Sequence, residues 1–395
     1  MRKTQVALAA LALVASTAAL AEGVKIYGAL DAGLARSTGE TMKFQSSGGF
    51  IAGNNWGMTG SEDLGGGMKA GFTLQQGIDL NGNSDNGGNG TLFNQLGFVS
   101  IGSENSGTIR LGQQLSPFIA GLAGNMAGNG HFFVNRLIMA HPGTFHGAGG
   151  PTLDTCATVD GNTGVATARN TACGAGIQQG GFFQENAVTY TSPSINGWTG
   201  TVMKTMKQGS GNTSAALATL GAQNVALNGD SYTAANVAGT IGDVSVNLVY
   251  QSRSDTYTST GLGLTLPVDR FKLMATYMDV KSKAAGIAAN ALNQGSDGDG
   301  RVTSYSFGVT YDISDATTIA AQIASNNASN LANTISNQTL TGLHLKHTLS
   351  KQTFVYAMYL EGTNGAQSDY SNRGTGSGLA LTDRRTYGFG VGHSF

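Results

Sequence analysis

The chain is short of charge. Asp, Glu, Lys and Arg make up 11% of its 395 residues, where a soluble globular domain carries about a quarter. Its net charge of −1 excludes a strongly basic nucleic-acid binder, so no nucleic-acid partner is expected. Proline is scarce, at 5 residues, which argues against a disordered low-complexity chain even though glycine reaches 60. Beyond Leu20 no segment approaches the roughly 18 apolar residues that a membrane helix needs. Any membrane embedding must therefore be by strands. Catalytic signatures are missing too: there is no H-E-x-x-H, no Walker A loop and no G-x-S-x-G. Asp79-x-Asn81-x-Asn83 begins like a calcium loop, but Ser84 holds its sixth position and no Glu closes it. Asp297-Gly298-Asp299 is no more complete, and the six histidines have no carboxylate-rich partner segment. Neither an enzyme nor a cofactor or metal site is expected.

What the chain has is alternation. Val24, Ile26, Leu30, Ala32 and Leu34 alternate with Lys25, Tyr27, Asp31 and Gly33. Phe271, Leu273, Ala275 and Tyr277 alternate with Lys272, Met274 and Thr276. Tyr305, Phe307, Val309 and Tyr311 alternate with small or polar residues, and so do the final Tyr387, Phe389, Val391, His393 and Phe395. A strand of period two with one apolar and one polar row separates lipid from water. Averaging the two rows brings the mean hydropathy to −0.07. Parity puts Lys25, Asp31 and Lys272 on the polar, lumen-facing row.

The connections alternate in length. Tight links fall at Asp63–Gly67, Ser103–Gly107, Ser192–Gly197, Gly242-Asp243, Pro267–Asp269, Ser314-Asp315 and Leu349–Lys351. Longer polar links lie near 38–53, 80–92, 208–230, 282–300, 326–337 and 362–383, with a short one near 254–256 and a much longer one over about 115–183. Sixteen strands result, with tight turns on one rim and long loops on the other. The fold class predicted is all-β, a transmembrane antiparallel β-barrel.

The start of the chain supplies an address. Arg2 and Lys3 precede an apolar run from Val6 to Leu20, and Ala19-Leu20-Ala21 forms a small-x-small cleavage site. Residues 1–21 are expected to be a cleaved secretory signal peptide and 22–395 the barrel. Loss of Arg2 and Lys3 takes Lys+Arg from 22 to 20 against 23 Asp+Glu, a net charge of −3. The oxidising compartment implied predicts a disulfide between Cys156 and Cys173, which would stabilise the loop by about 3 kcal/mol.

Particular stretches are more specific. Tyr27-Gly28, Trp56–Gly67, Gly107–Gln114 with Pro117-Phe118, Asn186–Tyr190 with Ser192-Pro193 and Gly197-Trp198, His347–Thr353 and the ending Tyr387–Phe395 follow one another in order. Together they resemble the general porins of the Gram-negative outer membrane, of the betaproteobacterial type. The resemblance implies a homotrimer of sixteen-stranded barrels embedded in outer-membrane lipid and lipopolysaccharide. It also implies a third loop folded into the lumen and a terminal Phe395 read by the barrel-assembly machinery. Passive diffusion of small hydrophilic solutes is the activity it implies.

The same resemblance exposes departures. Where the family carries arginines around the constriction, this chain has Asn55, Thr59, Gln113 and Gln184. The third loop, about 115–183, is weakly charged and brings His131, Arg136, His141 and His146 together with Phe132, Phe133, Leu137, Ile138, Met139 and Phe145. These residues are the candidate constriction, with a weak transverse field. The apolar ones are equally accounted for by packing of the loop on the barrel wall. A weakly ion-selective diffusion pore is expected; the alternative is a substrate-specific channel for a neutral or aromatic small molecule.

Overall fold

The period-two segments pair with their neighbours into a single closed wall. The structure, a computed structural model, describes residues 21–39, 41–45, 53–78, 80, 92–127, 157–159, 166–169, 183–206, 232–253, 257–282, 301–329, 339–363 and 384–395. The signal-peptide stretch up to Leu20 and both Cys156 and Cys173 lie outside the described residues.

Sixteen strands form the barrel. The first six are β1 Ala21–Ser37, β2 Asn55–Gly65, β3 Met68–Gly77, β4 Leu96–Ser103, β5 Gly107–Leu115 and β6 Phe183–Thr191. Next come β7 Thr199–Thr205, β8 Tyr232–Ile241, β9 Val244–Arg253, β10 Tyr257–Val268 and β11 Phe271–Ser282. The last five are β12 Arg301–Asp312, β13 Thr317–Ser329, β14 Thr339–Thr348, β15 Thr353–Thr363 and β16 Arg384–Ser394. Each pairs antiparallel with the next, and β16 pairs with β1 from Ala29 opposite Ser394 to Ser37 opposite Thr386. Closure matters because an open edge of unpaired amides is not tolerated in hydrocarbon. The chain's last residue takes part: Phe395 N donates to Gly28 O at 3.0 Å and Gly28 N to Phe395 O at 3.1 Å. Gly28 has no side chain because the ring of Phe395 occupies that space.

All seven tight links predicted from the sequence turn at one rim. The first uses Gly65, Gly66 and Gly67, all at positive φ, where an L side chain would be strained. The opposite rim carries the long links. One of them contributes a short strand, Lys43–Gln45, which pairs with Gly33–Ala35 of β1. Between that segment and Asn55, the side chain of Asn54 bonds both the backbone N–H and, at 3.0 Å, the backbone C=O of Asp31. An amide side chain thus stands in for the missing stretch of ladder.

Burial is inverted relative to a soluble protein. Val24, Ile26, Val99, Ile101, Leu111, Val202, Leu248, Phe307, Ile323, Leu343, Phe389 and Val391 are exposed on the outward row, Phe307 by 61%. Their strand neighbours of opposite parity, including Met203, Ala234, Val249, Met274, Met278, Ala320 and Tyr356, are buried inside. A continuous belt of exposed apolar side chains around a closed barrel suits a lipid surrounding and no aqueous one.

Candidate functional site

The one described helix, α1 (Pro117–Ala123), leaves the end of β5 and turns into the barrel. Its start is written locally: Ser116 caps it, accepting from Phe118 N at 3.2 Å, and Pro117 takes a first-turn position where its missing N–H costs nothing. Phe118 and Leu122 are fully buried against the inner faces of β7–β10. Burial of these two side chains contributes about 1.5–3 kcal/mol each. Gly121 packs so closely on Asn236 and Val249 that no side chain fits there.

Polar contacts fix the helix and the four residues after it to the wall. Ser116 Oγ meets Tyr232 Oη at 2.6 Å, Tyr232 donates to Gln251 Oε1 at 2.8 Å, and Gln251 Nε2 donates to Ser259 Oγ at 3.3 Å. Asn125 Nδ2 donates to Gly121 O at 2.8 Å, and Thr265 donates to Asn125 Oδ1 at 3.0 Å. Ala127 N donates to Gln322 Oε1 at 2.9 Å; Gln322 in turn reaches Ser306 at 3.0 Å, and Ser306 pairs with Thr276 at 2.6 Å. Bare backbone at Gly263 and Gly308 leaves room for Asn125 and Ala127. Residues 116–127 therefore lie along the inner wall from β8 to β13. Every group in these contacts is uncharged.

The residues singled out from the sequence separate on inspection. Asn55 and Thr59 lie on the inner row of β2, where Thr59 donates to Phe72 O at 2.9 Å and Asn55 Nδ2 to Gly53 O at 3.4 Å. Gln184 is buried opposite Gln114 in the register of β5 and β6. Gln113 requires a correction. It stands opposite Gly97, on the row of Ile109 and Leu111, which are exposed outward, and its amide donates to Asn94 O at 2.7 Å. The alternation runs unbroken through Leu111, so Gln113 faces away from the lumen, and the buried Gln114 faces in. His131, Arg136, His141 and His146 lie outside the described residues.

Lys25 and Lys272 occupy inner-row positions and are exposed. Asp31 shares that row as parity predicts, but it is fully buried, and Tyr356 donates to its Oδ1 at 2.6 Å. Three inner-row cations escaped the sequence reading. Arg110 lies over the ring of Phe98 at 5.8 Å, Lys346 over the ring of Phe354 at 5.6 Å, and Lys69 stands opposite Asp63. Parity counted from Ile109 and Leu111 would have found Arg110.

On the outward row, charge gathers near the long-loop rim as matched pairs. Arg301 binds Asp279 through two contacts of 2.6 and 3.1 Å, and Arg385 binds Glu361 at 2.8 Å. Tyr277, Tyr305 and Tyr387 are exposed beside them, as aromatic girdles are at a lipid–water boundary.

Comparison with known proteins adds four findings. Residues 7–367 match the family described as Gram-negative porin. An outer membrane porin protein of Bordetella pertussis is 29% identical over 163 residues, 35% of this chain and 42% of that protein. Outer membrane porin protein 32 of Delftia acidovorans is 37% identical over 122 residues, 30% of this chain and 33% of that protein. The chain thus matches less than half the length of either relative. Among solved structures, an anion-selective porin from Comamonas acidovorans superposes with a TM-score of 0.65 at 20% identity, over 95% of this chain and all of that one.

Proposed function

The chain belongs to the Gram-negative porin family, and from that premise we propose that it forms a water-filled outer-membrane channel for passive diffusion of small hydrophilic solutes. The observation that carries this reading is the neutral inner wall around α1. Tyr232, Gln251, Ser259, Thr265, Ser306, Gln322 and Asn125 supply hydroxyls and amides, and among the described residues no charged side chain is hydrogen-bonded to residues 116–127. The groups that anchor the loop to this wall are neutral and add little field to the waist, so selectivity is weak. The constriction includes residues of the third loop beyond Ala127, with His131, Arg136, His141 and His146 as its polar candidates. No bond chemistry belongs to this reading.

The working unit is a homotrimer in lipid and lipopolysaccharide, supported by the exposed apolar belt. The ladder between Phe395 and Gly28 supports a role for the terminal residue in closure and in recognition by the barrel-assembly machinery. Single-channel recording of the purified protein in planar bilayers tests the proposal. The expected result is stepwise current, linear in salt concentration, with a small reversal potential in a KCl gradient. Saturation by one solute would point to a substrate-specific channel, and a reversal potential near the limit for one ion sign would sink weak selectivity.

A further inference from the structure

Charge in this barrel is sorted by face. On the outward face near the long-loop rim, Arg301 has Asp279 and Arg385 has Glu361 as carboxylate partners. Inward cations differ. Lys25, Lys69, Arg110, Lys272 and Lys346 occupy inner-row positions, and among the described residues none of them forms an ion pair with a carboxylate. Arg110 and Lys346 are seated instead on the rings of Phe98 and Phe354, which hold a cation without neutralising it.

All five also lie toward the tight-turn end of their strands. Lys69 and Lys272 are second from the tight-turn end of β3 and β11, Lys346 is third from that end of β14, Arg110 fourth on β5 and Lys25 fifth on β1. In a barrel of this kind the tight turns face the periplasm. Three inward carboxylates are occupied. Asp63 accepts from Gly65 N at 2.7 Å within its own turn, Asp312 accepts from Thr318 at 2.8 Å, and Asp31 is sealed behind Tyr356. Glu104, Asp243, Asp269 and Asp315 stand in the turns at the rim, outside the ring of cations. Strands β7–β10, on which α1 packs, carry none of the five. Four of the five stand on β1, β3, β5 and β14, away from the wall that residues 116–127 cover.

We propose that this ring is a binding site for small multivalent oxyanions at the periplasmic mouth, such as di- and tricarboxylates or phosphate. Several like charges around one aqueous lumen with low-dielectric walls focus their field on the axis. A monovalent anion gains little at the ring, while a multivalent one meets several cations at once. The neutral waist leaves monovalent selectivity weak, and the exit still holds polyanions. The inference rests on the channel reading above.

The test is single-channel recording in KCl with citrate, phosphate or uncharged sucrose added to one side at a time. Citrate and phosphate should each interrupt the current at a concentration about tenfold lower from one side than from the other, and sucrose should not. The triple variant K69Q/R110Q/K346Q should raise the blocking concentration of citrate about tenfold, and K69R/K346R should leave the block in place. Equal block from both sides, block by sucrose, or an unaltered block in the triple variant would overturn the site. Block by only one of the two oxyanions would overturn the shared chemistry proposed for it. Absence of any current steps in the wild type would instead overturn the channel reading, so the two failures are distinguishable.

Discussion

The two faces of this wall are cut from the same sixteen strands and obey opposite rules. The outward face leaves its apolar residues exposed: Phe307, Val391 and Leu343 are in contact with whatever surrounds the barrel. Near its long-loop rim charges are matched in pairs, as at Asp279–Arg301 and Glu361–Arg385. The inward face buries apolar side chains under α1, bonds its polar groups in relays such as Ser116–Tyr232–Gln251–Ser259, and leaves cations unpaired at the tight-turn end. The contrast teaches that the medium on each side, lipid or water, decides what a residue must be. Lipid offers no partner to a polar group, so outward polarity is confined to the boundary. Water does, so inward polarity is free to be organised for solutes.

The largest test of that contrast is to exchange the rules at mid-wall. Phe307→Arg places a cation on the outward face of β12 and should cost about 2–4 kcal/mol of barrel stability. Thr73→Arg, on the inner row of β3, should leave assembly intact. Folded yield in bilayers, read by heat-modifiable electrophoresis, decides it; equal tolerance of both changes would show that the outward belt does not face lipid. A smaller effect is expected at the slot beneath the third loop. A side chain at Gly308 would meet Ala127 Cβ at 2.7 Å. Gly308→Val should therefore loosen the docking of residues 116–127 by about 1–3 kcal/mol without opening the barrel. Single-channel current should become noisier while the unfolding transition stays put, and a quiet current would mean that the slot does not position the loop.

Much of the fold could be read from the sequence because it is local. A period of two fixes which row faces out, and Gly and Asp at Gly65–Gly67, Gly242 and Asp269 fix where the chain reverses. Those signals sit within a few residues of what they specify, so all seven tight turns and the closing strand were legible. The site was less so because its contacts are not local. Ser116 meets Tyr232, Asn125 meets Thr265 and Asp31 meets Tyr356 only after the barrel has closed. Nothing near Asp31 announces that the side chain of Asn54 will fill its ladder. Gln113 was misplaced for another reason: similarity to a motif was followed where the parity of Ile109 and Leu111 already decided the face.

The relay at Tyr232 allows a finer test of how the inner face differs from the outer. Tyr232 is fully buried, with its hydroxyl between Ser116 and Gln251. Tyr232→Phe removes that hydroxyl and leaves two buried polar partners one bond short, a cost of about 1–3 kcal/mol. The loss falls on the cap of α1, so amide exchange at Phe118 and Ala120 should accelerate while β8 keeps its protection. On the outward face, Arg385→Ala breaks a pair whose arginine is 67% exposed and should change thermal unfolding least of all. If the two substitutions shifted stability alike, the outward pair would be structural and not a feature of the boundary. If only Tyr232→Phe registers, polar bonds are strong inside the barrel because they are shielded, and weak outside because water and headgroups compete for them.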